Sequence, residues 1–318
     1  MKILITGGLG FIGSNFIRYF LKKYPDYEIT NLDKITYCAN PANLKDIEKN
    51  KKYKFVKGDI CDANVVNELA KNNGAIIHFA AETHVDRSII ESGSFVRTDV
   101  LGTHTLLEAA KKYKIKKFLQ ISSDEVYGSI EKGSFDENSP LQPNSPYSAS
   151  KAGADMLVRA YNQTFNAPTL VTRSSNNYGP YQYPEKFIPL FVTNLLEGKK
   201  VPLYGDGLNV RDWLFVLDNC EAIDTVFHNG AVGEIYNIGG DCEKRNIDVV
   251  KMILNSLRKD EGCIEYVKDR LGHDRRYSLN SSKIKKLGWK PKTRFDDGLR
   301  QTIEWYKANE KWWKPLKK

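Results

Sequence analysis

The sequence lacks long apolar runs and has few cysteines for its 318 residues. No apolar stretch reaches the ~18 residues that a membrane-spanning helix requires, so we predict no membrane partner. The five cysteines show neither a CxxC spacing nor a grouping with histidine, which argues against a disulfide framework and against a metal site. The strand-like segment Lys2–Thr6 follows Met1 in place of a signal peptide, and we therefore expect a cytoplasmic location.

The chain has no acidic excess, because 48 Lys and Arg residues outnumber 39 Asp and Glu residues and give a formal net charge of +9. A basic chain can bind nucleic acid. The lysines are spread along amphipathic segments such as 111–114 and 283–286, which is typical of solvated helix faces. We predict no nucleic-acid partner and a basic surface that suits small diphosphate ligands.

Short apolar runs alternate with helical patterns in the first half of the chain. Predicted strands are Lys2–Thr6, Glu28–Leu32, Lys54–Lys57, Ala75–Phe79, Phe118–Ser122 and Thr169–Arg173. Predicted helices are Phe11–Lys23, Ala63–Lys71, Val96–Tyr113 and Ser148–Phe165. This alternation favours an α/β fold with a Rossmann-like, doubly wound parallel sheet.

The pattern changes after residue 175, where Asn176–Pro184 is rich in turn formers and aromatic residues. Later helices are predicted at Lys186–Leu196, Asn246–Arg258 and Phe295–Asn309, and later strands at Val201–Tyr204 and Glu234–Ile238. We predict an NAD-binding Rossmann domain over residues 1–175, with later strands returning to its sheet. Residues 176–318 are predicted to form a smaller C-terminal substrate-binding lobe.

A glycine-rich loop joins the first predicted strand to the first predicted helix. Gly7, Gly10 and Gly13 allow a tight turn and a close backbone approach to a pyrophosphate, which the helix N-terminus then faces. Asp33 ends the second strand twenty residues later, and an acid there can bind the adenosine ribose hydroxyls and repel a 2′-phosphate. This pattern predicts NAD as the cofactor.

Tyr147 and Lys151 share one face at the start of a predicted helix, because they lie four residues apart. An ammonium beside a phenol lowers the phenol's pKa, which makes the phenol a usable base. Other Tyr–Lys pairs in the chain have the same spacing. Only Tyr147 follows a strand that ends in adjacent acids, Asp124 and Glu125, which indicate either a solvated turn or catalytic chemistry.

Together, these motifs resemble the extended short-chain dehydrogenase/reductase family over essentially the whole chain. They are 6–13 (TGGLGFIG), 78–81 (HFAA), 122–123 (SS) and the Tyr147-x-x-x-Lys151 pair. Further stretches resemble the nucleotide-sugar 4,6-dehydratases of that family: 32–37 (LDKITY), 81–88 (AETHVDRS), 123–128 (SDEVYG), 173–181 (RSSNNYGPY), 211–213 (RDW) and 272–277 (GHDRRY). The resemblance implies dTDP-glucose as substrate and a 4-keto-6-deoxy sugar as product, with a UDP-sugar as the alternative substrate.

The resemblance also assigns the catalytic roles. Tyr147 would take the proton of the C4 hydroxyl, Lys151 would hold the nicotinamide ribose, and Ser123 would bind the C4 oxygen. Glu125 would remove the C5 proton and Asp124 would protonate the leaving C6 hydroxyl. The family usually has threonine at position 123.

The remaining binding residues come mainly from the same resemblance. The cofactor set is Gly7, Gly10, Phe11, Ile12, Gly13, Asp33, Lys34, Thr36, Asp59, Ile60, Phe79, Ala80, Ala81, Thr98, Tyr147, Lys151 and Asn177. The substrate set is Thr83, Ser123, Asn176, Lys186, Phe187, Pro202, Tyr204, Arg211, Asn246, His273, Arg276 and Tyr277. Arg211 has the clearest physical reason, since a guanidinium can pair bidentately with a diphosphate.

The sequence departs from the family pattern at Asp99, where asparagine is usual, at Leu271, where proline is usual, and in the stretch 37–41. A nucleotide-sugar 4-epimerase would need Tyr147 and Lys151 but not the acid pair, and a non-catalytic binding protein would need neither. The resemblance further implies a homodimer that pairs through the segments Val96–Tyr113 and Ser148–Phe165.

Overall fold

The computed structural model describes residues 1–317 and contains twelve strands and twelve α-helical segments in this part of the chain. The strands are β1 (Lys2–Thr6), β2 (Glu28–Asp33), β3 (Tyr53–Lys57), β4 (Ala75–His78), β5 (Lys117–Ser123), β6 (Thr169–Ser174), β7 (Asn176–Tyr178), β8 (Val201–Tyr204), β9 (Val210–Phe215), β10 (Ile235–Ile238), β11 (Glu243–Arg245) and β12 (Ile264–Val267). The helices are α1 (Phe11–Lys23), α2 (Ala63–Lys71), α3 (Val85–Ile90), α4 (Gly93–Phe95), α5 (Thr103–Lys112), α6 (Pro146–Phe165), α7 (Phe187–Leu196), α8 (Val216–Asn229), α9 (Asn246–Ser256), α10 (Ser282–Lys285), α11 (Phe295–Ala308) and α12 (Glu310–Trp313).

Seven strands form one parallel sheet in the order β10-β6-β5-β4-β1-β2-β3. The six strands of the N-terminal half have the Rossmann order, so the predicted fold class is confirmed. The seventh, β10, comes from the C-terminal half and pairs with β6 at the sheet edge. Two smaller sheets, β11-β9-β7 and β12-β8, belong to the C-terminal half.

Apolar side chains pack on both faces of the large sheet. One face is covered by α1 and α8, where Phe16, Phe20, Ile223 and Phe227 are buried together. The other face is covered by α2, α5 and α6. A separate core, with Phe191, Trp213 and Trp313 fully or almost fully buried, lies in the C-terminal lobe. Burial on both faces explains why the strands read as continuous apolar runs.

The elements differ from the sequence predictions mainly in the C-terminal half, where β7, β9, β11 and α8 were not predicted. In the N-terminal half, the predicted helix Val96–Tyr113 begins earlier: α4 leads into a π-helical segment, Val96–Gly102, which continues into α5. Helix α6 starts at Pro146, two residues before the prediction, because Ser145 and Ser148 form a reciprocal capping box and proline suits the first turn. No helix in residues 1–317 is long and apolar enough to span a membrane.

Candidate active site

The glycine loop between β1 and α1 forms one end of a cavity at the carboxyl edge of the large sheet. Gly7 has a φ of 71°, and a Cβ there would lie 2.5 Å from the backbone nitrogen of Ala80. A Cβ on Gly13 would lie 2.5 Å from the carbonyl oxygen of Gly7. The N-cap Gly10 leaves the first backbone N–H groups of α1 without a side-chain partner. The loop therefore offers a helix N-terminus to an anion, as a pyrophosphate requires.

Acidic side chains mark the adenosine end of this first cavity. Asp33 accepts hydrogen bonds from the backbone nitrogens of Leu9 (2.9 Å) and Ile35 (2.8 Å), although burial still raises the pKa of its carboxyl. The ammonium of Lys34 lies 2.8 Å from the carboxylate of Asp59, so its charge is already paired. A negative carboxylate and a paired lysine disfavour a 2′-phosphate and fit NAD.

The first cavity brings together almost the whole predicted cofactor set. Its lining includes Gly7, Gly10, Phe11, Ile12, Gly13, Asp33, Lys34, Thr36, Asp59, Ile60, Phe79, Ala80, Ala81, Thr98, Tyr147 and Lys151. Asn177 is the exception, because it lines a second, adjoining cavity. The lining also includes Cys38 and Glu82, which were not predicted.

Tyr147 and Lys151 lie in the first two turns of α6, and Tyr147 lines both cavities. The ammonium of Lys151 donates to the carbonyl oxygen of Ile121 at 2.8 Å. The spacing of Tyr147 and Lys151 predicts a lowered phenol pKa. In the structure, however, the pKa of Tyr147 is raised well above its ordinary value. Burial is the main cause, and the charges of Glu125 and Asp99 add to it, while a contact with the Ser123 hydroxyl opposes it.

The acid pair lies in a short 3₁₀ turn, Asp124–Tyr127, directly after β5. Ser123 caps this turn by accepting from the backbone nitrogen of Glu125 at 3.3 Å, and its hydroxyl donates to Asp124 at 3.1 Å. Asp124 is almost wholly buried, and its second carboxylate oxygen has no hydrogen-bond partner. The two acids are thus neither a solvated turn nor an ion pair.

The carboxyl groups of Asp124 and Glu125 differ in their electrostatic environments. Burial raises the pKa of Asp124 well above its ordinary value, and the charges of Glu125 and Asp212 raise it further. Burial also raises the pKa of Glu125, but the positive charges of Arg270, Arg211 and Lys186 counteract that rise. Two neighbouring acids with different electrostatic partners can hold different protonation states, as an acid and a base must.

The second cavity opens beside Tyr147 and Glu125 and is lined by segments from both halves of the chain. From the predicted substrate set it contains Thr83, Asn176, Lys186, Phe187, Pro202, Tyr204, Arg211, Asn246, His273 and Tyr277. The ammonium of the half-buried Lys186 donates to the Thr83 hydroxyl at 2.9 Å, and desolvation lowers the pKa of Lys186. Neither Ser123 nor Asp124 lines either cavity, although the Ser123 hydroxyl contacts Tyr147.

Unpaired polar atoms are a feature of this second cavity. The side-chain oxygens of Asn176, Asn177 and Asn246 and the Nε of Arg270 are buried without a hydrogen-bond partner. Buried polar groups are normally hydrogen-bonded, so these atoms indicate a polar ligand. Arg270, His84, Gln182 and Glu185 line the cavity but were not predicted. The only sequence signal for Arg270 was its position two residues before the stretch 272–277.

Arg276 lies outside both cavities, so the structure does not support the substrate contact predicted for it. Its guanidinium pairs with Glu243 at 2.7 and 2.8 Å and donates to the carbonyl oxygen of Gly133. Arg276 forms an isolated β-bridge with Val210, and the next residue, Tyr277, lines the second cavity. Neighbouring side chains on extended backbone point in opposite directions, so Arg276 points away from the cavity that Tyr277 lines.

A Rossmann sheet with a pyrophosphate loop and a Tyr–Lys pair beside it defines a member of the extended short-chain dehydrogenases/reductases. The sequence model described as GDP-mannose 4,6 dehydratase matches residues 4–302, and the chain belongs to that family. Within residues 1–317, no group of three His, Cys, Asp or Glu side chains could hold a metal ion.

Comparison with individual proteins gives the same family at higher similarity. A dTDP-glucose 4,6-dehydratase from Streptomyces niveus is 50% identical over 322 residues, which is 100% of this chain and 96% of the relative. A crystal structure of a dTDP-glucose 4,6-dehydratase from Streptomyces venezuelae with NAD bound superposes with a TM-score of 0.98 at 50% identity, and covers 100% of both chains. One from Bacillus anthracis, in complex with NAD, has a TM-score of 0.94 at 54% identity and again covers 100% of both chains.

Proposed function

We propose that this protein is an NAD-dependent 4,6-dehydratase that converts dTDP-glucose to dTDP-4-keto-6-deoxyglucose with loss of water. One observation carries the proposal: Glu125 and Tyr147 line a polar cavity that adjoins a dinucleotide cavity, and the buried acid Asp124 directly precedes Glu125. The relatives named dTDP-glucose 4,6-dehydratases support this substrate, since they match over essentially their full length.

The first cavity would hold NAD, with Gly7–Gly13 on the pyrophosphate, Asp33 on the adenosine ribose and Lys151 on the nicotinamide ribose. Bound NAD would supply a hydride acceptor for C4 and, once reduced, a hydride donor for C6, so it would not be consumed. In the second cavity, Arg211 and Arg270 provide positive charge for the diphosphate, and the unpaired amides of Asn176 and Asn246 provide polar contacts.

Tyr147 takes the proton of the C4 hydroxyl as a phenolate, and the Ser123 hydroxyl, which contacts Tyr147, turns from Asp124 to donate to the C4 oxygen. A ketone at C4 acidifies the C5 hydrogen, which Glu125 removes. Asp124, whose pKa burial raises well above the ordinary range, donates its proton to the C6 hydroxyl, which leaves as water. Glu125 returns its proton to C5, which restores its starting charge, and the proton that Tyr147 took from the C4 hydroxyl replaces the one that Asp124 gave to the leaving water.

Incubation with dTDP-glucose, UDP-glucose and UDP-N-acetylglucosamine, followed by mass spectrometry, tests the proposal. Loss of one water from dTDP-glucose alone is the expected result. Water loss from a UDP-sugar would change the assigned nucleotide of the substrate from dTDP to UDP. An unchanged mass with a new sugar isomer would indicate a 4-epimerase, and no change with any of the sugars would overturn the enzymatic proposal.

We also propose a homodimer. The segment Val96–Gly102 packs against α6, and Gly153 allows this approach because a Cβ there would lie 3.2 Å from Val100. These two elements expose Val96, Leu101, Met156 and Phe165, and burying such apolar surface against a second copy is favourable. Light scattering should give twice the chain mass, and a monomeric mass would refute the dimer.

We also propose that the protein is located in the cytoplasm. Each of the five cysteines in the described residues is a free thiol, which suits a reducing compartment. Fractionation of cells that produce the protein should recover it with cytosolic markers, and recovery outside the cytosol would contradict this location.

A further inference from the structure

Asp99 is a buried acid that the proposed reaction does not use. It lies on the π-helical segment Val96–Gly102 and is 1% exposed. One carboxylate oxygen accepts from the backbone nitrogen of Glu82, a residue of the first cavity, at 2.9 Å. The other lies 2.6 Å from the Ser150 hydroxyl on α6. Asp99 thus connects the cofactor cavity to the helix that carries Tyr147 and Lys151.

The Ser150 hydroxyl has two acceptors within reach but only one proton. It lies 2.6 Å from Asp99 and 2.8 Å from the backbone carbonyl oxygen of Tyr147. An ionised Asp99 would compete with that carbonyl for the single hydroxyl proton. A protonated Asp99 removes the competition, because it donates to Ser150 and leaves Ser150 free to donate to Tyr147. With a neutral Asp99, each of the two close oxygen contacts of Ser150 contains a proton, whereas with an ionised Asp99 one of them contains none.

We propose that Asp99 is a titratable positioning residue for Tyr147 and Lys151, which anchors α6 through Ser150 as a neutral acid and places a negative charge beside both side chains when it ionises. The inference rests on the proposed roles of Tyr147 and Lys151. An ionised Asp99 disfavours the phenolate of Tyr147 and stabilises the ammonium of Lys151. The charge state of Asp99 therefore sets the pH range in which Tyr147 can accept a proton.

The charged and titratable groups around Asp99 come from α6, from β4 and from the loop after β4. Lys151 and Tyr147 face it from α6, and Glu82 faces it from the loop after β4. His78 on β4 reaches it through Thr103, and burial lowers the pKa of His78 to about 3, so this ring is neutral. Burial raises the pKa of Asp99 to about 6, against the opposing charge of Lys151 and its hydrogen bonds. Asp99 would therefore change its charge close to neutral pH.

Carbon-13 NMR of protein labelled at the aspartate carboxyl carbon tests the titration directly in the NAD complex. The Asp99 signal, assigned by its loss in Asp99→Asn, should titrate with a midpoint near pH 6. If Asp99→Asn does not fold, Ser150→Ala, which changes the environment of the carboxyl, assigns the signal. A signal that stays at the position of a full carboxylate from pH 5 to 8 would overturn the proposal. This readout needs no turnover, so it separates a failure here from a failure of the proposed function.

The pH profile of NADH formation during C4 oxidation tests the link to Tyr147. Asp99→Asn keeps both hydrogen bonds but carries no charge, so its ascending limb should shift to lower pH by on the order of one unit. Asp224→Asn is the matched control, since Asp224 is equally buried but pairs with Lys23 on the other face of the sheet. Profiles that superpose for the wild type and Asp99→Asn would refute the positioning role.

Discussion

The two adjoining cavities differ in how their polar groups are satisfied. In the first, Asp33 already accepts from two backbone N–H groups, and Lys34 pairs with Asp59. In the second, amide oxygens and the Nε of Arg270 are buried without partners. In the first cavity these side chains are already paired, and the backbone N–H groups at the start of α1 remain free to bind a cofactor's pyrophosphate. The second needs its ligand to complete its hydrogen bonds, which suits a substrate that enters and leaves.

Tyr147 lines both cavities, so its substitution should have the largest effect on activity. Tyr147→Phe removes the group that accepts the C4 proton, and NADH formation from dTDP-glucose should fall by roughly 10⁴-fold. Tyr161→Phe on the same helix removes a hydroxyl that contacts Glu108 away from both cavities, and it should keep full activity. Unchanged NADH absorbance in Tyr147→Phe would contradict the proposed base.

Glu125 contacts only the second cavity, so its substitution should separate the two half-reactions. Glu125→Gln keeps the size of the side chain but cannot remove the C5 proton, and water loss should slow by roughly 10²–10³-fold. Some C4 oxidation should survive, visible as NADH that accumulates without loss of water in the product. Full dehydration by this variant would refute the assignment.

Arg270 tests whether the second cavity binds substrate independently of the first. Arg270→Ala removes a charged donor and should weaken dTDP binding by roughly ten- to a hundredfold, measured by calorimetry, while NAD affinity is unchanged. The exposed Arg275, which pairs with Asp206 at the surface, is the matched control. Equal losses of dTDP and NAD affinity would contradict independent binding in the two cavities.

The smallest effect concerns the stability of the region behind the first cavity. Burial lowers the pKa of His78 to about 3, so the unfolded chain binds a proton there at a higher pH than the folded chain does. Stability should therefore decrease as pH falls below the unfolded pKa, by about 1 kcal/mol from pH 6.5 to 5.5. Urea unfolding should show this loss in the wild type and a shallower one in His78→Asn. Identical slopes for both proteins would contradict it.

The difference between the two cavities also explains how much of the molecule could be predicted from its sequence. The first cavity is formed by short segments at successive strand ends, and these local motifs identified Gly7, Asp33, Tyr147 and Lys151. The second cavity joins segments far apart in the chain, and no local pattern indicates which side chain of a loop points inward. Arg270 was therefore not predicted, and Arg276, which was, lines neither cavity. The upward pKa shift of Tyr147 also depends on burial, which spacing alone does not reveal.

The pairing of β10 with β6 constrains how the chain can fold during synthesis. A nascent chain that ends near residue 175 has all six N-terminal strands, but β6 is an open edge and the apolar face of α1 has no α8 to cover it. Open edges and bare apolar faces favour aggregation. The N-terminal half therefore depends on about sixty further residues, up to Ile238, before β6 is paired on both sides. Cleavage or truncation between the halves would expose the edge of β6 and the apolar face of α1 as well as remove the C-terminal half.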